Sequence, residues 1–178
     1  MTPVSLGIPT IRQQPPGDDG ADPFAAGPLV DTFGRVHRDL RVSLTDKCSL
    51  RCTYCMPAEG VPWLPQREIL TTDEIVRVVS VAVRLGITEV RLTGGEPLLR
   101  ADITDVVARL TRLETVAGPL RVSLTTNGLR LPELMDELVA AGLERVNVSL
   151  DTVNAQRYHE LTRRERFAQA VAGVEAVQ

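Results

Sequence analysis

The three cysteines of this chain lie in one short segment. They are Cys48, Cys52 and Cys55, spaced C-x3-C-x2-C, and the 178-residue sequence contains no others. Three thiolates can hold three of the four irons of a cubane [4Fe–4S] cluster, whereas such clusters normally take four cysteines. The spacing therefore predicts a cluster with one iron left open to a further ligand.

An open iron can chelate S-adenosylmethionine through its amino and carboxylate groups, and that arrangement leads to radical chemistry. Zinc is the alternative metal, but a zinc site needs a fourth ligand. The candidates for that ligand are His37, His159 or a carboxylate, and none has a familiar zinc spacing. An odd number of cysteines does not suit a disulfide framework. The segment therefore favours an iron–sulfur cluster over zinc or a disulfide.

Length and composition limit the classes of function. A chain of 178 residues with 43% apolar residues suits one domain with a real hydrophobic core. The net charge of −3 provides no basic field, so no nucleic-acid partner is expected. No apolar run reaches membrane-spanning length and no signal-peptide pattern is present. We therefore expect a cytoplasmic protein without a membrane partner.

Residues 1–28 differ in composition from the rest of the chain. They contain six of the 12 prolines and a Gly-Asp-Asp-Gly run at 17–20. Such a segment cannot bury enough apolar surface to offset the entropy of ordering. We therefore expect a disordered leader at 1–28 and a folded domain at 29–178.

Strand and helix patterns alternate from residue 36 onward. The apolar runs predict strands at 40–44, 87–93, 120–125 and 145–150. Helical spacing of apolar residues predicts helices at 72–85, 102–113, 132–139 and 166–177. Strands that alternate with helices pair in parallel, so the sequence predicts an α/β fold with a parallel sheet.

Each predicted strand is followed by an unusual polar motif. In chain order these are the cysteine segment, Gly94-Gly95-Glu96-Pro97, Thr126-Asn127-Gly128, and Ser149 with Asp151. In barrel enzymes the chemistry lies at the carboxyl ends of successive strands. The distribution therefore favours a partial (β/α) barrel of about four βα units over a doubly wound sheet.

These motifs resemble the radical S-adenosylmethionine (SAM) superfamily. Within this superfamily, the sequences of the motifs are similar to those of the GTP 3′,8-cyclase family of molybdenum cofactor biosynthesis. The matching stretches are LRVSLTD at 40–46, CTYCMP at 52–57, RLTGGEPLLR at 91–100, TTNG at 125–128 and NVSLD at 147–151. The resemblance implies a lyase that converts GTP to (8S)-3′,8-cyclo-7,8-dihydroguanosine 5′-triphosphate.

The resemblance also implies a role for individual residues. The implied ligands of a [4Fe–4S] cluster are Cys48, Cys52 and Cys55. The implied SAM contacts are Tyr54, Gly95 and Ser149, and the implied GTP contacts are Arg41, Arg91 and Thr125. The resemblance implies no catalytic residue beyond the cluster. It also implies that an external electron donor is needed.

Members of the cyclase family are nearly twice as long and carry a second cysteine triad for another cluster. This chain therefore resembles the N-terminal half of such an enzyme, and we expect it to be inactive alone. A homodimer, or pairing with a full-length copy, could complete it. Two alternatives stay open: another radical SAM enzyme acting on a peptide or small metabolite, and a non-catalytic cluster-binding remnant.

Overall fold

The computed structural model describes residues 27–177. The expected leader, residues 1–28, lies outside this range apart from its last two residues. The described part begins with a short turn in which Val30 and Val36 form an antiparallel bridge. The backbone N–H of Leu29 donates to the carbonyl of Leu85 at 3.0 Å, so this turn is attached to the domain.

Strands and helices alternate as predicted. In chain order they are β1 (Asp39–Ser43), α1 (Thr72–Arg84), β2 (Glu89–Thr93), α2 (Ile103–Leu110), β3 (Glu114–Thr115), β4 (Gly118–Pro119), β5 (Arg121–Thr126), α3 (Leu131–Ala140), β6 (Arg145–Val148), α4 (Ala155–Thr162) and α5 (Phe167–Glu175). Short 3₁₀ turns lie at Gln66–Glu68 and Pro97–Leu99. The strands β3 and β4 form a separate antiparallel hairpin.

The central sheet has four parallel strands in the order β1-β2-β5-β6. Each strand therefore lies beside the next long strand of the chain, which is the order of a barrel arc. All four carboxyl ends point to the same edge of the sheet. That edge gathers the polar motifs that follow the strands, so the partial α/β barrel architecture is confirmed.

One face of the sheet is apolar and packs against helices. Val90, Leu92, Val122 and Leu124 are almost fully buried there and share a core with α1, α2 and α3. The opposite face carries the alternate residues of each strand, which are mostly polar or charged. Alternation of this kind follows from the two-residue period of a strand. The polar face is therefore available to form a site.

The helix α1 has the expected start. The side chain of Thr71 accepts from the backbone N–H of Glu74, and the Glu74 carboxylate accepts from the backbone N–H of Thr71 at 2.8 Å. This reciprocal capping box satisfies two backbone donors that the first turn would otherwise leave unpaired. Ile75 and Val79 then point into the core, as their helical spacing predicts.

Several details differ from the sequence prediction, including α2, which ends at Leu110 instead of residue 113. The helix α4 and the β3–β4 hairpin were not predicted, and β6 ends at Val148 instead of residue 150. The α4 segment is dominated by polar residues and buries only Tyr158 and Thr162, so it has no apolar period to detect. No helix in the described range is long and apolar enough to span a membrane.

Candidate functional site

A cavity of about 330 Å³ lies at the carboxyl ends of the four parallel strands. Eight of the nine predicted site residues line it: Cys48, Cys52, Cys55, Tyr54, Gly95, Ser149, Arg41 and Thr125. The β1, β2, β5 and β6 ends all contribute, so one cavity joins motifs that are more than 100 residues apart in sequence. The structure thus brings the implied cluster, SAM and GTP residues together.

Arg91, the ninth predicted residue, lies in register with Arg41 on the same face of the sheet but does not line this cavity. It borders a smaller cavity of about 80 Å³ with Ser123 and Arg145. The strand register places Arg41 beside Arg91, Arg91 beside Ser123, and Ser123 beside Arg145. These four residues form a continuous line across the sheet, here called the arginine row. Arg41 belongs to both the row and the larger cavity.

The cysteine loop, residues 46–57, is held by the carboxyl end of α4. The backbone N–H of Arg51 donates to the carbonyl of Thr162 at 3.0 Å, and that of Thr53 donates to Leu161 at 2.8 Å. The last carbonyls of a helix have no partner within the helix, so they are free to accept these bonds. The loop is thereby anchored to a helix.

Arg163, directly after α4, adds a side-chain anchor. Its Nη1 donates to the carbonyls of Arg51 at 3.1 Å and Met56 at 3.0 Å, on either side of the last two cysteines. Its backbone is left-handed, with φ of 54°, which is uncommon outside glycine. This conformation ends α4 and turns the chain toward α5.

Arg51 stabilises the loop from within. Its Nη1 donates to the carbonyls of Cys48 and Leu50, both at 2.8 Å. The guanidinium also lies over the Trp63 ring, 5.1 Å from its centroid. A guanidinium is a planar fork of donors that also stacks on aromatic faces, so Arg51 serves both contacts at once.

The glycine motif after β2 packs directly against the cysteine loop. The Gly95 N–H donates to Thr45 and the Glu96 N–H donates to Lys47, both at 2.7 Å. A Cβ on Gly95 would lie 2.5 Å from the Asp46 carbonyl oxygen. The adjacent loop backbone therefore leaves no room for a side chain at position 95. This packing requirement is independent of any approach of a cofactor from the cavity.

Glu96 joins the two motifs that follow β2 and β5. Its buried carboxylate accepts from Thr126 Oγ1 at 2.7 Å, from Asn127 N at 2.8 Å and from Leu98 N at 3.0 Å. Burial raises the pKa of Glu96, while these three donors favour the ionised form. Asn127 Nδ2 in turn donates to Ser49 Oγ at 3.1 Å, so one network links three strand ends.

The three cysteines line the same cavity. Burial raises the pKa of Cys48 and of Cys52, so both are neutral thiols until a metal displaces the proton. Among residues 27–177 no three His, Cys, Asp or Glu side chains are arranged to hold a single metal ion. A cubane takes each thiolate on a different iron, so the cysteines suit a cluster better than zinc.

The sequence profile of the Radical SAM superfamily matches residues 42–178. The chain belongs to the radical SAM superfamily. This family implies a [4Fe–4S] cluster and SAM as cofactors. The matched region begins inside β1 and includes every predicted site residue except Arg41.

Curated relatives of this radical SAM chain are GTP 3′,8-cyclases. The one from Mycobacterium sp. (strain KMS) is 50% identical over 183 aligned residues, which cover 100% of this chain and 49% of the relative. The one from Corynebacterium glutamicum is 53% identical over 150 residues, which cover 83% of this chain and 40% of the relative. The chain spans about half the length of the curated relatives it matches.

Solved structures with the same fold are more distant in sequence. HydG, a maturase of the [FeFe]-hydrogenase, has a TM-score of 0.62 at 16% identity, covering 78% of this chain and 32% of HydG. Streptococcus suis SuiB has a TM-score of 0.56 at 20% identity, covering 79% of this chain and 31% of SuiB. At these identities the similarity establishes the radical SAM fold alone.

Several residues of this radical SAM site were missed by the sequence analysis. Tyr158 lines the cavity, Arg163 holds the cysteine loop, and Arg145 occupies the arginine row. The first two lie on or just after α4, whose polar sequence gave no sign of a helix. Arg145 could have been found only from the register of β5 against β6.

Proposed function

We propose that this chain is the cluster-binding and SAM-binding part of a radical SAM GTP 3′,8-cyclase, which begins molybdenum cofactor biosynthesis. The proposal is supported by the identity of about 50% to curated GTP 3′,8-cyclases, which carry that name over twice this length. The arginine row, which continues from the cavity along the polar face of the sheet, is the structural observation that carries it.

In this proposal Cys48, Cys52 and Cys55 hold the [4Fe–4S] cluster, one thiolate to each of three irons. Bound together, a cluster and SAM supply one-electron chemistry that removes a hydrogen atom from the substrate. The chain holds the cysteine loop in position. The loop is fixed on one side by α4 and Arg163 and on the other by the glycine motif. An external electron donor would reduce the cluster.

SAM would lie across the strand ends that line the cavity. Tyr54 in the cysteine loop, Gly95 after β2 and Ser149 after β6 border it from three directions. The backbone N–H of Ser149 donates to the carbonyl of Thr126 at 2.8 Å and so fixes the residue. Its side chain is exposed, so the hydroxyl can contact a ligand. These groups offer polar contacts in a cavity whose lining also includes apolar side chains.

The arginine row favours a polyphosphate substrate. Arg41, Arg91 and Arg145 are exposed on one face, and none forms an ion pair with a carboxylate in the described range. Neighbouring strands are about 4.8 Å apart, so Arg41 and Arg91 are like charges at close range. A triphosphate would neutralise them, and planar guanidinium groups suit phosphate oxygens.

The carboxylates nearby do not neutralise the row. Glu89 and Glu144 border the smaller cavity with Arg91 and Arg145. Glu89 is paired with Arg121, one row below, and Glu144 forms no ion pair with the row. A radical SAM enzyme that modifies peptides has no need for three unneutralised arginines beside the cavity, so the row favours GTP over that alternative.

Nucleotide binding to the anaerobically reconstituted chain tests this proposal. We expect GTP to bind in calorimetric titration, and guanosine to bind at least tenfold more weakly because it lacks phosphates. Arg91→Gln should weaken GTP binding about tenfold, the loss of roughly one charge-assisted contact of about 1.4 kcal/mol. Arg77→Gln is the matched control, because Arg77 is exposed on α1, an element of the helical layer.

The same preparation is incubated with GTP, SAM and a reductant, and the nucleotides are separated by chromatography. GTP-dependent formation of 5′-deoxyadenosine supports the proposal, with or without release of the cyclised nucleotide. Cleavage of SAM that is indifferent to GTP, together with no GTP binding, would contradict it and favour another substrate.

A further inference from the structure

Tyr158 is a buried residue of the site to which no role is assigned. It lies on α4, is 3% exposed and lines the same cavity as the three cysteines. Its hydroxyl oxygen is buried and has no hydrogen-bond partner among the described residues. Buried hydroxyl groups are nearly always hydrogen-bonded. The adjoining cavity is therefore where a partner for this hydroxyl could lie.

The ring of Tyr158 is fixed in place by its neighbours. It packs edge-to-face on Phe167 of α5, with ring centroids 5.7 Å apart. The carbonyl of Tyr158 accepts from Thr162 Oγ1 at 2.8 Å, at the end of α4 that also anchors the cysteine loop. The hydroxyl is therefore held at one position in the cavity wall.

The groups around the hydroxyl indicate what it can bind. A phenol has an ordinary pKa of about 10, and burial raises the pKa of Tyr158 further. The hydroxyl is thus neutral and carries a proton to donate. Asp151 already accepts from Tyr54, and neither cysteine sulfur lies within hydrogen-bond distance of Tyr158. A group that fills the cavity beside the cysteines is therefore the candidate acceptor.

We propose that the Tyr158 hydroxyl donates a hydrogen bond to an anionic sulfur of the cluster held by Cys48, Cys52 and Cys55. The inference rests on the proposed function only in requiring a cluster on these cysteines. Reduction makes the cluster more negative, so a donor to its sulfur stabilises the reduced form more than the oxidised form. Hydrogen bonds to the sulfurs are one of the factors that set the potential of such clusters. Tyr158 is thus a redox-tuning residue.

Tyr158→Phe tests this directly, since it removes the hydroxyl and keeps the ring on Phe167. The variant and the wild-type chain are reconstituted anaerobically and titrated to their reduction midpoint by EPR, without SAM. We expect the variant to be about tenfold harder to reduce at a given potential, a shift of ~59 mV for a one-electron couple. A chelator should also remove its iron several-fold faster.

Phe167→Leu is the control for packing, because it removes the aromatic contact and leaves the Tyr158 hydroxyl. Its midpoint should match the wild-type chain. An unchanged midpoint and unchanged iron release in Tyr158→Phe would overturn the inference. An unchanged midpoint with weaker SAM binding would also overturn it, by assigning the hydroxyl to SAM. An equal shift in Phe167→Leu would show that packing, and not the hydroxyl, sets the potential.

Failure of the inference can be separated from failure of the proposed function. A wild-type chain that takes up no iron would overturn both. A wild-type chain that takes up iron and binds GTP, with a midpoint insensitive to Tyr158→Phe, would overturn the tuning role alone.

Discussion

The hydroxyl of Tyr54 donates a 2.6 Å hydrogen bond to Oδ2 of Asp151, although the two residues are 97 positions apart. Tyr54 lies between the second and third cysteines, and Asp151 follows β6. The bond to Asp151, with a smaller contribution from burial, raises the pKa of Tyr54. Both side chains border the cavity, so this bond closes the side of the site at the outermost strand.

Breaking this bond should loosen the cysteine loop. We expect Tyr54→Phe and Asp151→Asn each to weaken SAM binding several-fold, and the double variant to be no worse than either single variant. Both residues are exposed, so a coupling energy of about 1 kcal/mol is expected after solvent screening. The measurement is a double-mutant cycle on SAM affinity of the reconstituted chain.

Asp136→Asn is the matched control for this cycle, because Asp136 is an exposed carboxylate on α3. Its SAM affinity should equal that of the wild-type chain. Strictly additive effects of the Tyr54 and Asp151 substitutions would mean that the bond has no part in holding the site.

The Arg163 anchor provides a second prediction. Arg163→Gly removes the guanidinium from the carbonyls of Arg51 and Met56, and glycine adopts the left-handed backbone without strain. Relief of that strain opposes the loss of the two guanidinium bonds and the greater flexibility of glycine in the unfolded chain, so the free energy of unfolding should change less than the local protection of the loop. Faster amide hydrogen exchange in residues 51–56 would therefore report the lost anchor specifically.

We expect that exchange to rise at least fivefold in Arg163→Gly, while Arg157→Gln on the exposed face of α4 leaves it unchanged. Arg163→Lys should be intermediate, because one ammonium replaces a planar fork of donors. Equal protection of the loop in all three variants would show that the backbone bonds to α4 suffice.

The strands and α1 could be predicted because their apolar periods and caps are local. Val90 and Leu92 alternate with polar residues, and Thr71 with Glu74 forms a capping box visible in the sequence. The cysteine segment could be singled out from the sequence because its three thiols lie within eight residues. All these features depend on short spacings along the chain.

Other parts of the site depend on tertiary context. Arg145 joins Arg91 only through the register of two intervening strand pairs, which the sequence does not specify. Tyr158 and Arg163 are positioned by α4, which is stabilised by packing and by the cysteine loop, not by an apolar stripe. Helices of this kind are difficult to detect, because their stability comes from tertiary contacts.

Glu96 provides a third prediction. Glu96→Gln keeps the shape but places an amide NH₂ where the carboxylate accepts from Thr126 or Asn127. One buried donor then faces another, so we expect a loss of about 2–3 kcal/mol in the free energy of unfolding. Urea denaturation measures it.

Glu133→Gln on the exposed side of α3 is the control and should cost less than about 0.5 kcal/mol. If Glu96→Gln were equally mild, the carboxylate would not be the link between the motifs after β2 and β5. The network would then depend on the backbone bonds of the glycine motif.

We infer that the three cysteines hold a [4Fe–4S] cluster that SAM can reach, and the iron content together with the EPR spectrum measures this directly. After anaerobic reconstitution we expect about four irons per chain, and a reduced-cluster EPR signal that changes on addition of SAM. Cys52→Ala should lose both the iron and the signal, whereas Thr53→Ala beside it should keep them. One zinc per chain with no iron uptake, or a cluster signal that does not change with SAM, would show that the cysteines do not form a SAM-binding cluster site.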